Sequence, residues 1–220
     1  MRLIRSNSNS TWKYIIGEVF LIFIGISLAI WFNNWNSSQK SKRDKELVIS
    51  KIKEEISSNQ NELSEARKKN RLILLAYTDY QKIYNNTTSE IISTPVHISA
   101  LQSKYPGFFK ITDSIKVSSD LYQYRGGTHI ELEMPVLTEI AWETARSISI
   151  TNEFDFECLY ELERMYHLQR GVQDEINKAA NALQKRELKE LMNILDFLNQ
   201  LDSQLNENYK EMLRSIENCT

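Results

Sequence analysis

Hydrophobic residues form one unbroken run near the start of the chain and afterwards recur at helical spacings. The run lies within Lys13 to Asn36, KYIIGEVFLIFIGISLAIWFNNWN. Residues 14–35 are expected to form a transmembrane helix. Trp12 to Trp35 is 23 steps, which spans roughly 35 Å at about 1.5 Å per residue. That matches a hydrocarbon core of about 30 Å plus part of each interface. Trp12 and Tyr14 are the expected interface anchors at one end, Trp31 and Trp35 at the other. Residues 1–13 are a short basic tail. Ser27-Leu28-Ala29 has the small-x-small form of a signal-peptidase site. Glu18 would interrupt such a signal, however, and the apolar run continues through Phe32, so an uncleaved anchor is expected.

Beyond the run, residues 36–84 read as one long charged helix. Ile49, Ile52, Ile56, Asn59, Leu63, Ala66, Asn70 and Ile73 recur at alternating spacings of three and four, as in a coiled coil. Two asparagines on such a seam weaken it and fix its register. A helix of an intramolecular bundle is the expectation; a self-associating stalk is the alternative. Residues 85–134 are less regular and hold Pro95, Pro106 and most glycines outside the membrane run. Short alternating runs, Leu121 to Tyr124 and His129 to Glu133, flank Arg125-Gly126-Gly127 and suggest a small β-hairpin turning there. Residues 135–220 return to helical pattern. A first segment is expected from Val136 to Ser147 and a helix start near Asn152 to Asp155. A stripe follows through Leu159, Leu162, Met165, Leu168, Val172, Ile176, Ala179 and Leu183. The last seam reads Leu191, Ile194, Leu198, Leu201, Leu205, Met212 and Ile216. The expected fold is all-α: one transmembrane helix, then an antiparallel helical bundle with a less regular insertion.

Composition narrows the classes of function. A quarter of the residues are charged, both signs are mixed, and the net charge is -2. Nucleic acid is therefore not an expected partner, since its phosphates call for a basic face. The lipid bilayer is the expected partner, together with further copies of the chain or other membrane proteins. Orientation stays open. Arg2, Arg5 and Lys13 before the run nearly balance Lys40, Lys42, Arg43 and Lys45 after it. Two cysteines, Cys158 and Cys219, permit one bridge in an oxidising compartment, but buried or free thiols are the expectation.

Gly17-Glu18-Val19, Leu21, Gly25-Ile26, Ala29 and Asn33-Asn34-Trp35-Asn36 resemble a bacterial family of small single-pass membrane proteins of unknown function. Its signature is a GE(I/V)xL membrane helix that ends in NNWN. Ala141-Trp142-Glu143-Thr144-Ala145 and the stretch Leu159 to Gln169, with Tyr166 and Gln169, resemble that family's second half. The resemblance implies an inner-membrane protein and no particular activity. Members with a longer basic N-terminus imply a periplasmic soluble domain.

Candidate chemistry is sparse. Glu18 is a carboxylate inside a membrane segment, which is costly and marks a functional candidate. Gly25 and Ala29 lie seven and eleven residues on, on the same helix face, and small residues at that spacing let helices approach. Glu18, Gly25 and Ala29 are thus the helix-association candidates; the competing reading is that Glu18 snorkels to the headgroups. His97, His129 and His167 lack metal-type spacing. His129, Glu131 and Glu133 would share one strand face, but a metal site is not expected there. No catalytic, cofactor or metal residues are expected. The expected role is non-enzymatic: assembly, scaffolding or sensing at the bacterial envelope. A small-ligand sensor module and an oligomeric membrane pore using Glu18 are the alternatives.

Overall fold

A computed structural model describes residues 8–85, 88 and 90–219, with only the backbone for residues 8–11, 13, 14 and 218. The chain is mainly helical, with one small antiparallel sheet. It divides into two compact units, Met1–Ser50 and Lys51–Thr220. The longest element, α1, runs Ser8–Ile83. No proline interrupts it, and its only glycines are Gly17 and Gly25.

In the first unit, every described side chain from Ile15 to Ser38 is exposed. This helix holds the one stretch, among the described residues, that is long and apolar enough to cross a membrane; none of that stretch is buried in the chain.

The second unit is built on three long helices. They are the later part of α1, α4 (Phe156–Gln184) and α5 (Leu188–Ser215). Cross-links give their directions. Gln60 donates to Asn206 and Arg67 to Asn199, so seven residues up α1 match seven down α5, and the two run antiparallel. Glu55 meets Tyr166 and Asn59 meets Gln169, so α1 and α4 run parallel. The α1 seam at Ile52, Ile56, Asn59, Leu63, Ala66 and Ile73 is buried as its spacing predicts. Asp155 caps α4, its carboxylate accepting from the Cys158 amide at 2.8 Å, near the expected start. The α4–α5 turn carries Arg186 at φ 62°.

The α5 seam differs from expectation. Leu201 is only partly buried, while Asp202 and Tyr209 are buried in its place. The seam is Leu191, Leu195, Leu198, Asp202, Leu205, Tyr209, Met212 and Ile216, a strict alternation of four and three. Following the apolar residues alone obscured it.

The expected all-α fold is also corrected. Strands β1 (Tyr84–Asn85), β2 (Glu90–Ser93), β3 (Phe109–Lys116) and β4 (Tyr122–Thr128) pair antiparallel in the order β1-β2-β4-β3. Helix α2 (Pro95–Lys104) lies between β2 and β3, capped by Thr94 with Pro95 in its first turn. Ile91, Ile98 and Tyr124 bury together under Tyr80, Tyr84 and Tyr122. The hairpin is real, but its turn lies at Val117–Leu121, where the Val117 amide donates to the Leu121 carbonyl at 2.9 Å. Arg125-Gly126-Gly127 sits inside β4. A Cβ on Gly126 would fall 2.1 Å from the Lys110 carbonyl oxygen. Glycine there serves close strand approach beside a ladder irregularity at Ile111/Asp113, not a turn.

The helix expected from Val136 is shorter. Helix α3 spans Ile140–Ser147, and residues 129–139 form an extended strap along α1. Two asparagines hold it. The Asn70 side chain donates to the Glu133 carbonyl (2.8 Å) and accepts from its amide (3.0 Å). Asn59 does the same to Thr138 at 2.7 and 3.0 Å. Each carboxamide mimics one rung of a β-ladder. The seam asparagines therefore bind backbone, and residues 136–139 stay out of the helix.

Candidate functional site

The residues singled out for helix association lie in the first unit. Glu18, Gly25 and Ala29 are all exposed on α1, and a Cβ at Gly25 would meet nothing. Trp12, Trp31 and Trp35 are exposed as well, with Phe32 and Trp35 rings 6.0 Å apart. The Tyr14 and Lys13 side chains and the residues Arg2 and Arg5 lie outside what is described. Among the described residues nothing packs on the Glu18 stripe.

Chemistry concentrates instead inside the second unit, at a polar layer crossing the three-helix core. Asn59, Gln169 and Tyr209 occupy seam positions on α1, α4 and α5, and each is at most 2 % exposed. Gln169 Oε1 accepts from Asn59 Nδ2 at 3.1 Å and from Tyr209 Oη at 2.7 Å. Gln169 Nε2 donates to the Thr138 carbonyl at 3.0 Å.

One helical turn away, Glu55 is buried among donors. Its Oε1 accepts from Tyr166 Oη at 2.8 Å. Its Oε2 accepts from the Ala141 amide at 2.9 Å and from Thr138 Oγ1 at 3.3 Å. The Ala141 amide belongs to the first turn of α3, so Glu55 caps that helix from another element and sits where its dipole favours an anion. Trp142, on α3, stacks on Tyr166 with centroids 5.7 Å apart and planes 6° from parallel. Burial, then the Glu55 charge, pushes the Tyr166 hydroxyl above the usual tyrosine range; burial does the same for Tyr209. Both phenols stay protonated donors. Trp142, Tyr166 and Gln169, which carry the second-half family resemblance, all meet here.

Asn59, Gln169, Tyr209 and Glu55 are paired within the layer, while the buried Trp142 Nε1 beside them has no hydrogen-bond partner among the described residues. The layer's chemistry is positional: paired polar groups at seam positions fix which faces meet. The sequence places Asn59 on the α1 seam and Gln169 only in the stretch that carries the family resemblance; Glu55 and Tyr209 are not signalled, because the stripes of α1 and α5 follow other residues.

Asp202 also carries an unpaired buried atom. It is buried, and its Oδ1 has no hydrogen-bond partner. Burial pushes its carboxyl up to about 6, with the Arg67 guanidinium acting the other way. The native value exceeds the unfolded one. Below about pH 3 both states hold the proton and the group is silent. As pH rises to about 6 the unfolded chain ionises first and stability falls, by about 3 kcal/mol once the native group has also ionised. Asp202→Asn should therefore raise the urea midpoint at pH 7.5 and leave it unchanged at pH 3. An equal gain at both values would assign the effect to packing.

The sequence grouping of His129, Glu131 and Glu133 is partly assembled. His129 Nε2 lies 3.1 Å from Glu131 Oε1, while Glu133 pairs with Lys69 at 3.0 Å. Among the described residues no three metal-binding side chains converge.

The expectation of free thiols is corrected. Cys158 and Cys219 form a disulfide with Cα atoms 5.4 Å apart. The α4–α5 hairpin brings the start of α4 beside the end of α5, and both cysteines are buried. Comparison with family models, curated proteins and solved structures gives no match to this chain.

Proposed function

We propose that this chain is a single-pass membrane protein of the bacterial envelope whose helical domain works by binding, in assembly, scaffolding or sensing, and not by catalysis. The observation that carries the reading is the apolar stretch of α1, long enough to span a bilayer and with none of it buried in the chain. An isolated helix with that surface needs lipid around it. The resemblance in Gly17-Glu18-Val19 and Asn33-Asn34-Trp35-Asn36 points to the same setting. The Cys158–Cys219 bridge supports a periplasmic domain, because disulfides persist in oxidising compartments and are rare in the cytosol. It tips a charge balance that was nearly even.

An alkaline phosphatase fused after Thr220 should therefore be active in whole cells. An inactive phosphatase, with a fluorescent cytoplasmic reporter active at the same site, would reverse the orientation. Self-association through Glu18, Gly25 and Ala29 remains part of the proposal on sequence grounds. A sensor role is the second reading, favoured by a groove of about 320 Å³ beside the strap, within the range of ligand sites.

A further inference from the structure

We propose that the C-terminal end of the apolar stretch holds an anionic phospholipid, with the phosphate at Lys42 and Arg43 and the upper acyl chains against Trp31, Phe32 and Trp35. The inference rests on the membrane-spanning reading above and names the lipid class that this end of the span selects.

The apolar wall is aromatic. Trp31, Phe32 and Trp35 are 64, 60 and 51 % exposed, and the Phe32 and Trp35 rings lie 6.0 Å apart. Three rings within about one turn of helix give a lipid chain a broad surface and mark the headgroup level. Lys42 follows Trp35 by seven residues and Trp31 by eleven, and Arg43 follows Phe32 by eleven. Those counts are close to two and three whole turns, so both cations stand over the rings. Along the axis they lie roughly 10 and 12 Å beyond Trp35. Helical side chains lean toward the N-terminus, which here is toward the rings, and long cationic side chains reach back to headgroups in this way. Lys40 follows Ala29 by eleven and Asn33 by seven, and so lies on another face.

Charge selects the headgroup. Lys42 and Arg43 are exposed, and among the described residues neither has a carboxylate partner. Glu46 is four residues after Lys42 and three after Arg43, yet it pairs with neither. In the second unit, by contrast, Lys51, Lys68, Lys178 and Lys210 each close an ion pair with a glutamate three residues away. An unfilled Lys–Arg pair above a ring wall complements a phosphate that carries net negative charge. A zwitterionic headgroup would bring its own cation to the same spot.

The test uses the full chain with Trp12→Phe, so that Trp31 and Trp35 report on lipid while Trp142 is buried in the second unit. Vesicles of equimolar phosphatidylcholine and phosphatidylglycerol differ only in which lipid carries brominated chains. Bromine quenches rings that it touches, so unselective contact gives equal quenching. The expected result is an enrichment of phosphatidylglycerol beside the rings of about threefold or more, falling toward equality in about 0.5 M sodium chloride. Lys42→Gln with Arg43→Gln should remove the preference. Lys116→Gln with Arg125→Gln, an equal loss of charge at exposed positions of β3 and β4, should keep it. Equal quenching by the two lipids in the parent overturns the proposal, as does a preference that survives the Lys42 and Arg43 changes. An equal loss in the β-strand variant also overturns it, by assigning the effect to net charge. So does a loss in inorganic phosphate beyond that in sodium chloride of the same ionic strength, which would mark a soluble-phosphate site. Quenching without preference leaves the membrane span standing, whereas no quenching by either lipid removes the span and this proposal with it.

Discussion

Replacing Cys158 and Cys219 together by serine is expected to lower the stability of the second unit by about 4 kcal/mol, the entropy of closing a loop of this length in the unfolded chain. The bridged residues are 61 apart in sequence. Few domains exceed 5–15 kcal/mol in all, so the loss should be plain as a fall in urea midpoint for the full-length protein in mild detergent. The bridge also holds down the short 3-10 turn Ile216–Asn218 after α5, where Ile216 is fully buried and Glu217 pairs with Lys53. In the denatured protein a maleimide–polyethylene glycol reagent should retard migration only after reduction. Labelling without reduction, with identical midpoints for parent and variant, would show that the native chain carries thiols.

The second large effect is expected at Glu55. Glu55→Leu fills the space but strands the Tyr166 hydroxyl and the Ala141 amide without an acceptor. At about 1–3 kcal/mol for each buried unpaired donor, the loss should be about 3 kcal/mol. Glu55→Gln should cost only about 1 kcal/mol. Its carbonyl oxygen can take the Ala141 amide while its NH₂ donates to a rotated Tyr166 hydroxyl. The gap between the two variants, measured in urea, separates hydrogen bonding from shape. Equal losses for Leu and Gln would mean that the charge on the α3 terminus, rather than the paired donors, is what matters.

How far the fold could be read depended on which partner each residue takes. Ile52, Ile56 and Leu63 pack apolar on apolar, and their spacing revealed the seam directly. Asn59 and Asn70 lie on the same seam, but their partners are backbone groups of Glu133 and Thr138, more than sixty residues away. Nothing in the local pattern specifies an acceptor of that kind. Gln169, Asp202 and Tyr209 keep the four-three alternation and were hidden only by their polarity. Gly126 is ambiguous by nature, because a tight turn and a close strand crossing ask for the same missing Cβ. The cysteine pair became interpretable only once α4 and α5 were known to fold back on each other. The Glu18, Gly25, Ala29 stripe was legible as a pattern, and all three residues are exposed on α1.

The strap and α1 behave as two rulers with different graduations. Asn59 and Asn70 are eleven residues apart on the helix, and Thr138 and Glu133 are five apart on the strap. Eleven helical rises of about 1.5 Å and five extended rises of about 3.3 Å both come to roughly 16.5 Å. The two marks coincide only at those counts. A residue gained or lost between 134 and 137 shifts one scale by about 3.3 Å against the other, so that only one asparagine can stay engaged. In α1 a single insertion also rotates Asn70 by about 100° away from the strap. Lengths in this part of the chain are therefore tied in pairs, even where the side chains between the marks are free to vary.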